Sequence, residues 1–365
     1  MRLNEEQQML QGYAQRLLAE QGPIDHLRAL RDERNATGYD APLWQAMNEA
    51  GWGGLLVPEG QGGLDFGHVG AGLIALEIGR HLSVSPFLST TVMAAQAISH
   101  GGSGEQQQHW LSKIAAGETL FALAIDEGHK HRPEHIQASV SESNGELTLS
   151  GEKTLVLDGH VADVLLVAAR RNGQAELFLV PATASGINIE RTIMVDSRNA
   201  ARIQFTNVTV EPLANGQAAL QAALLSGRAV IAAELAGMAE SAFEQTLAYL
   251  KERKQFGVHI GSFQALQHRA AHLHAEVAMA KALALRALQA IDENEADAAQ
   301  LVLASKAKAN NVARLAVNEA VQMHGGIGMT DEFNIGFYMK RARAAIETLG
   351  DTSYCSQHFA TAKGY

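Results

Sequence analysis

The sequence predicts a mainly α-helical chain with a β-domain in its middle, and three observations carry that prediction. All seven prolines lie at or before Pro212. Proline costs ~3 kcal/mol inside a helix, so the Ala- and Leu-rich remainder can run as long helices. Between about Thr119 and Val210 the apolar residues alternate at period two, and Gly145, Gly151, Gly159 and Gly173 fall between the runs as turns. Ahead of that region, amphipathic stretches at helical spacing fill the first ~115 residues.

Each element follows from local pattern. Asn4–Glu20 is amphipathic. Pro42–Ala50 is a short helix started by Asp40 and Pro42 and stopped by Gly51. Gly70–Arg80 is apolar on one face, and Trp110–Ile114 lies on a last short helix before the β-domain. Gln137–Ser141, Glu146–Ser150, Val164–Ala168, Glu176–Val180 and Arg202–Val210 are the strands. Gly216–Leu250, Phe263–Asn294 and Ala298–His324 carry apolar residues at helical spacing and form a C-terminal bundle. The expected domains are 1–117 (helical), 118–213 (β) and 214–365 (helical bundle).

Composition narrows the function. Twenty-nine Lys and Arg against 39 Asp and Glu give a net charge of −10, which argues against a nucleic-acid binder. Hydrophobic residues reach 47%, enough for a large core. The single cysteine, Cys355, excludes a disulfide framework and a multi-Cys metal site and is expected to be a packed residue. Met1–Glu20 is too polar for a signal peptide, and no apolar run reaches the ~18 residues that cross a bilayer, so a cytoplasmic location is expected. His129, His131 and His135 cluster without any cysteine and are expected in a solvated loop. His268 and His272 have i,i+4 spacing but no HExxH glutamate. No metal site is expected. Lys340, Arg341 and Arg343 form a basic cluster before Asp351, either an exposed helix face or a support for ligand phosphates or the adjacent loop.

Two segments point to chemistry. Arg253-Lys254-Gln255-Phe256-Gly257, followed by Ile260-Gly261-Ser262-Phe263-Gln264, is a basic turn beside a helix beginning near Ser262, which suits a phosphate. Val321-Gln322-Met323-His324-Gly325-Gly326-Ile327-Gly328-Met329 is a helix running into a glycine-rich loop, where backbone can approach a ligand closely. Neither is a GxGxxG or a P-loop fingerprint.

Together and in this order these segments resemble the acyl-CoA dehydrogenase family, and the resemblance covers nearly the whole chain. Leu43–Trp52, Val57–Gly63, Glu77-Ile78-Gly79-Arg80 and Phe205–Pro212 also match it. The resemblance is nearest to small subunits of bacterial heteromeric acyl-CoA dehydrogenases of the pimeloyl-CoA and steroid side-chain kind. It implies an N-terminal helical domain, a middle β-domain and a C-terminal four-helix bundle, with FAD as cofactor. Arg253, Phe256 and Gln264 match positions that touch the adenosine-diphosphate half of FAD across a dimer interface. Gln322, Gly325 and Gly326 match a second set of FAD contacts, and Thr352 a threonine near the flavin. The implied reaction is α,β-dehydrogenation of an acyl-CoA, by α-proton abstraction and β-hydride transfer to flavin. Electron-transfer flavoprotein or a similar acceptor would take the electrons.

The chain departs from the family at three places. The usual catalytic glutamate falls on Gly350, leaving the adjacent Asp351 as candidate base; an alternative glutamate position on the first bundle helix falls near Gly227. Glu234 lies about two turns beyond it, and Glu244 aligns with an acidic position linked to substrate contacts. The stretch that in the family usually reads Thr-Glu-Pro followed by small residues and Ser-Asp, supplying contacts to flavin and CoA, is here Ala124-Ile125-Asp126-Glu127-Gly128-His129-Lys130-His131, and the family's Trp-Ile-Thr is Leu155-Val156-Leu157. The adenosine-side contacts are kept while the isoalloxazine-side contacts and the base are degraded, which fits half of a heteromeric enzyme joined to a related subunit. The alternatives are a self-sufficient homo-oligomer using Asp351 or Glu244, and a non-catalytic scaffold. Gly237, with Ala236, Ala239 and Ser241, would leave room for a wide acyl group.

Overall fold

The computed structural model describes residues 2–365 and is mainly α-helical with a central β-sheet. Six helices come first: α1 (Glu5–Gln21), α2 (Ile24–Asp32), α3 (Ala41–Glu49), α4 (His68–His81), α5 (Ala95–Gly101) and α6 (Gly104–Ala115). Eight strands follow: β1 (Phe121–Ala124), β2 (Ser139–Ser143), β3 (Glu146–Leu157), β4 (Val164–Arg171), β5 (Gln174–Pro181), β6 (Ile187–Ile193), β7 (Asn199–Thr209) and β8 (Glu211–Pro212). Then come α7 (Gly216–Glu252), the two-residue strands β9 (Lys254–Gln255) and β10 (Val258–His259), α8 (Gln264–Asp292), α9 (Ala298–His324), α10 (Ile335–Glu347) and α11 (Thr352–Ala362).

Local chemistry explains most boundaries. Asn4 starts α1 with a capping box, its side chain taking the Gln7 N–H while Gln7 returns to its backbone. Asp40 accepts the Leu43 N–H to start α3, as its position before Pro42 predicts. Ser103 and Gln106 repeat the capping box at α6. The sequence pattern misses β1, β6, α2, α5, α10 and α11. β1 is a four-residue run, buried throughout, and so has no alternation to detect. Phe87–Ala94 is π-helical, a form without its own periodic signature.

Two compact units emerge. One gathers residues 29–67 and 84–227. Its eight-stranded sheet runs β6-β7-β3-β2-β4-β5-β8, with β1 parallel to β4. Strand β4 is buried throughout Val164–Ala169, whereas β2 and β3 leave many residues exposed. Thr90 ties the π-helix to β1, donating its hydroxyl to the Phe121 carbonyl and accepting the Phe121 N–H.

The other unit gathers residues up to Arg28, His68–Ser83 and Arg228–Tyr365. It therefore contains α4, which the sequence places far from the bundle. Asp292, closing α8, accepts the N–H groups of His68 and Val69 and so caps α4 from another helix. The glycines of α4 and α7 interlock: a Cβ on Gly79 would sit 2.0 Å from the Glu234 carbonyl oxygen, and one on Gly237 1.9 Å from that of Leu76. This corrects the expected room for an acyl group at Gly237, because the space is filled by α4 backbone. Ala236 and Ala239 are buried, and the Ser241 hydroxyl lies 2.9 Å from Tyr338 Oη.

An eighteen-residue stretch of α7 has a mean hydropathy of 1.4, enough by composition to cross a membrane, yet 83% of it is buried inside the protein. Its apolarity is that of a core helix.

Gly237→Ala should destabilise the fold. Helix propensity alone would favour alanine by about 1 kcal/mol, but forcing a methyl into the α4 backbone costs up to about 3 kcal/mol. A net loss near 2 kcal/mol is expected in urea unfolding, and unchanged or higher stability would contradict the interlock.

Candidate functional site

The basic turn is a tight hairpin. After α7 the Arg253 N–H donates to the Tyr249 carbonyl, β9 pairs with β10, and the Ile260 N–H returns to the Arg253 carbonyl. The two residues at its tip, Phe256 and Gly257, both have positive φ, 54° and 79°. A two-residue hairpin of this kind demands that conformation, which glycine adopts freely and phenylalanine does not. The Phe256 ring is 91% exposed and meets only the edge of Phe263, 6.2 Å away. Helix α8 begins at Gln264 rather than near Ser262, and its N-cap Phe263 supplies no side-chain bond to the first amides. Arg253 and Gln264 are exposed beside it.

The glycine bend ends α9. Gly325 turns out of the helix at φ 65° and ψ −140°, and Cβ atoms on Gly325 or Gly326 would meet nothing within 4 Å. Gln322 is exposed on the last turn. By contrast Gly328 is pressed against the Val321 carbonyl.

Corner and bend meet through one aromatic contact. His324, 3% exposed, stacks on Tyr249 of α7 at 4.5 Å and 27°, and Phe333 lies 4.7 Å from the imidazole and 6.2 Å from Tyr249, so the three rings form one cluster. The imidazole Nδ1 sits 2.7 Å from the Ala320 carbonyl oxygen, and burial lowers its pKa. Leu250, Ala270 and Met323 belong to one apolar cluster shared by α7, α8 and α9. Arg253, Phe256, Gln264, Gln322, Gly325 and Gly326 are thus presented from a single rigid junction. The sequence does not single out Tyr249 and gives His324 only as one residue of the glycine-rich motif, because neither stands out from an ordinary helix end.

The loop at the family's usual acid is elsewhere in the same unit. Asp351 is the N-cap of α11, its carboxylate accepting the Tyr354 N–H at 2.8 Å. Thr352 donates its hydroxyl to Asn311 Oδ1, eleven residues before Gln322 and so roughly 17 Å back along α9. Gly350 has φ 118°, and a Cβ there would lie 2.6 Å from Tyr354 Cδ1 and 3.3 Å from Cys355 Sγ.

Two cations hold this loop by its carbonyls. Arg228 donates Nε to the Leu349 oxygen at 2.9 Å and Nη2 to Tyr354 Oη at 3.2 Å. Lys306, fully buried, donates to Asn310 Oδ1 at 2.6 Å and reaches the Ala345, Ile346 and Gly350 oxygens at 3.2 Å each. Burial pushes the Lys306 ammonium down to about 8. The signal for Lys306 was present in the sequence as a lysine on the apolar stripe that includes Val302 and Ala309. Cys355 is buried beneath the loop, as expected.

The remaining acids are structural in their contacts. Glu244 pairs with Arg80 at 2.6 Å, and Glu240 bridges Arg80 and Lys281. Buried Glu234 lies 3.5 Å from Arg341 Nη1. Arg341 is itself buried, donating to the carbonyls of Leu82 and Ser83, so it is neither an exposed face nor a phosphate contact.

In the sheet unit, Lys153 is fully buried and donates to the Ile125 carbonyl and to Glu127 Oε1 at 2.8 Å. Burial opposes the Glu127 charge, but Lys153 and the amides of Ala138 and Gln137 outweigh it and hold the carboxyl below its usual range. His131 is buried against Asp126 rather than solvated. Among the described residues no group of three His, Cys, Asp or Glu side chains is placed to hold a metal. Leu155, where the family has its indole, sits at φ 52° and 49% exposed.

Residues 4–118, 126–208 and 214–354 match, in turn, the N-terminal, middle and C-terminal domains of acyl-CoA dehydrogenase. The chain belongs to the acyl-CoA dehydrogenase family. It is 30% identical to the acyl-CoA dehydrogenase IpdE2 of Mycobacterium tuberculosis, over 94% of this chain and 93% of that one. It superposes on a Tcur3481-Tcur3483 steroid ACAD variant with a TM-score of 0.92 at 30% identity, covering 99% and 98% of the two chains. A structure of the ChsE4-ChsE5 complex of M. tuberculosis shares the fold at 0.91 and 24% identity, over 99% of this chain and 97% of that one. The chain is accordingly a member of an oxidoreductase family.

The folded-state pKa of Lys306 lies below that of an unfolded lysine, near 10.4. Its burial penalty is therefore full below pH 8 and disappears as pH rises towards 10.4. Relative to Lys306→Met, the wild-type chain should gain on the order of 3 kcal/mol between pH 7 and pH 10.5. Parallel unfolding curves across that range would show the lysine not to be buried in its charged form.

Proposed function

We propose that this chain is one subunit of a heteromeric FAD-dependent acyl-CoA dehydrogenase, supplying nucleotide-side contacts while a related subunit supplies the base. The organisation follows the three domains 1–117, 118–213 and 214–365. Gly350 carries the proposal. A proton-abstracting carboxylate needs contact near ~3 Å with the α-hydrogen. At Gly350 there is no side chain, its backbone disfavours one, and Tyr354 occupies the space. Asp351 next to it serves α11 as a cap, and Glu244 is paired with Arg80.

The corner and bend fit the nucleotide half of FAD. The open Gly325–Gly326 backbone admits close approach, the uncapped α8 start offers free amides to a diphosphate, Arg253 adds charge, and the standing Phe256 ring offers a face to adenine. Bound FAD would supply the hydride acceptor for the β-carbon. The chain's own part is to bind and orient: Gln322 and Gln264 would give hydrogen bonds, and Thr352 a hydroxyl toward the flavin. The isoalloxazine side is poorer, since Leu155 and Leu157 bring neither an indole nor a hydroxyl. The likeness to a steroid acyl-CoA dehydrogenase supports a bulky acyl thioester as substrate, with electron-transfer flavoprotein or a similar acceptor and a cytoplasmic location.

The test is expression alone and together with candidate related subunits, reading flavin content and bleaching by an acyl-CoA panel under anaerobic mixing. Bleaching only in the mixed assembly is expected. Full flavin occupancy with rapid bleaching by this chain alone would overturn the proposal, as would assemblies that stay colourless. In the active assembly Asp351→Asn, which keeps the cap, should leave flavin reduction within about twofold of wild type; abolished reduction with FAD retained would make Asp351 the base. Phe256→Ala should leave the melting temperature unchanged, because the ring packs on almost nothing, and should weaken FAD binding about tenfold, the worth of one base–aromatic stack.

A further inference from the structure

We infer that Arg28 of α2 is a positioning residue for the nucleotide half of FAD. It holds the turn from Asp331 to Asn334, and through that turn the glycine bend at the end of α9. The role rests on the proposed grip of corner and bend on FAD. Arg28 acts at one remove, through the chain that follows the bend.

The bend needs outside support. Gly325, Gly326 and Gly328 put three glycines in four positions, the composition with the most backbone freedom to lose. From Gly325 to Glu332 only Gly328 is buried, so apolar packing fixes little of the stretch. Local bonds close a single turn: the N–H and hydroxyl of Thr330 both donate to the Ile327 carbonyl, at 3.1 and 2.8 Å. The chain then returns to the protein at Phe333, 4.7 Å from His324 and 6.2 Å from Tyr249. Whatever fixes Phe333 therefore fixes where the bend comes back onto α7 and α9.

Arg28 fixes it from both flanks. From 303 positions away its Nη1 donates to the Asp331 carbonyl at 2.8 Å and to the Asp331 carboxylate at 3.0 Å. Its Nη2 donates to Asn334 Oδ1 at 3.0 Å, and the guanidinium lies 4.7 Å from the centre of the Phe337 ring. Asp331 and Asn334 bracket Phe333 in the chain. Asn334 also accepts the Phe337 N–H at its carbonyl, which joins the turn to the start of α10. Leu27, next to Arg28, is buried and anchors α2. An isolated surface ion pair is worth little. A planar fork that spans two residues and lies on a ring has a geometry that a lysine cannot copy. A bend already held in place binds a nucleotide without first having to be ordered.

Arg28→Gln, Arg28→Lys, Asn334→Ala and the Arg28→Gln/Asn334→Ala pair are made in the full-length chain within the assembly that carries flavin. The dissociation constant of FAD is read by flavin fluorescence, and hydrogen–deuterium exchange is followed along the chain. Arg28→Gln should weaken FAD binding about fivefold. It should speed exchange from Gly325 to Phe337 and leave α8 and the sheet as in wild type. The melting temperature should fall by no more than about 2 °C, so lost overall stability does not account for lost cofactor. Arg28→Lys should recover only part of the affinity. Asn334→Ala should weaken binding less than Arg28→Gln and add nothing to it in the double variant, because both remove the same contact. Unchanged FAD affinity in Arg28→Gln, full recovery by lysine, additive effects or exchange raised evenly along the chain would each overturn the inference. Gly326→Val tells the two readings apart, since a side chain there meets no atom of this chain and would stand in the way of the cofactor. If Gly326→Val releases FAD and Arg28→Gln does not, the subunit proposal stands and only the role of Arg28 falls. If Gly326→Val binds FAD as wild type does, the bend is no cofactor contact and both readings fall.

Discussion

The junction of α7 and α9 depends on burying a histidine against a tyrosine. His324 leaves the solvent with Nε2 lacking a hydrogen-bond partner, which costs about 1–3 kcal/mol. The stack on Tyr249 and the contact with Phe333 offset that cost by roughly 0.5–1.5 kcal/mol per ring pair, beyond the area buried. Burial keeps the imidazole neutral, so the contact is apolar in character. Two backbones that leave their helices in positive-φ turns are thereby held at one place, and their exposed atoms need not be ordered again when a nucleotide arrives.

A second constraint governs the opposite end of α9. The Leu349–Gly350 loop presents its carbonyl oxygens to two cations, Arg228 and Lys306, instead of presenting a side chain outward. Burying an ammonium is expensive, and four oxygens in a dry site compensate it. The same loop is closed to a larger residue by Tyr354 and Cys355. Loss of a carboxylate at Gly350 and filling of its space by packed neighbours are one arrangement, in which rigidity has replaced reactivity.

Much of the fold was legible in the sequence because it rests on short-range signals. Asp40 before Pro42, Asn4 before Gln7 and the spacing of Ala298–His324 each name an element by local geometry. So did the glycine bend and the hairpin, whose demand for positive φ is written in Gly257 and Gly325. The misses have physical causes. β1 is buried on all sides and shows no alternation. Arg341 and His131 look like surface residues by type but are buried, because carbonyls from a distant segment compensate the first and a carboxylate five residues away, folded back on it, compensates the second. Gly237 reads as spare room in one dimension and proves to be where two helix backbones touch.

The sequence by itself determined the helix–sheet–helix order, the two motifs that carry the family resemblance and the absence of an acid at position 350, since each depends on residue type and near neighbours. Tertiary structure alone decided that Tyr249 brings the two motifs together and that Lys306 grips the loop. These are contacts between residues tens of positions apart in the chain, and only the packing of helices against one another places such groups within hydrogen-bonding or stacking distance.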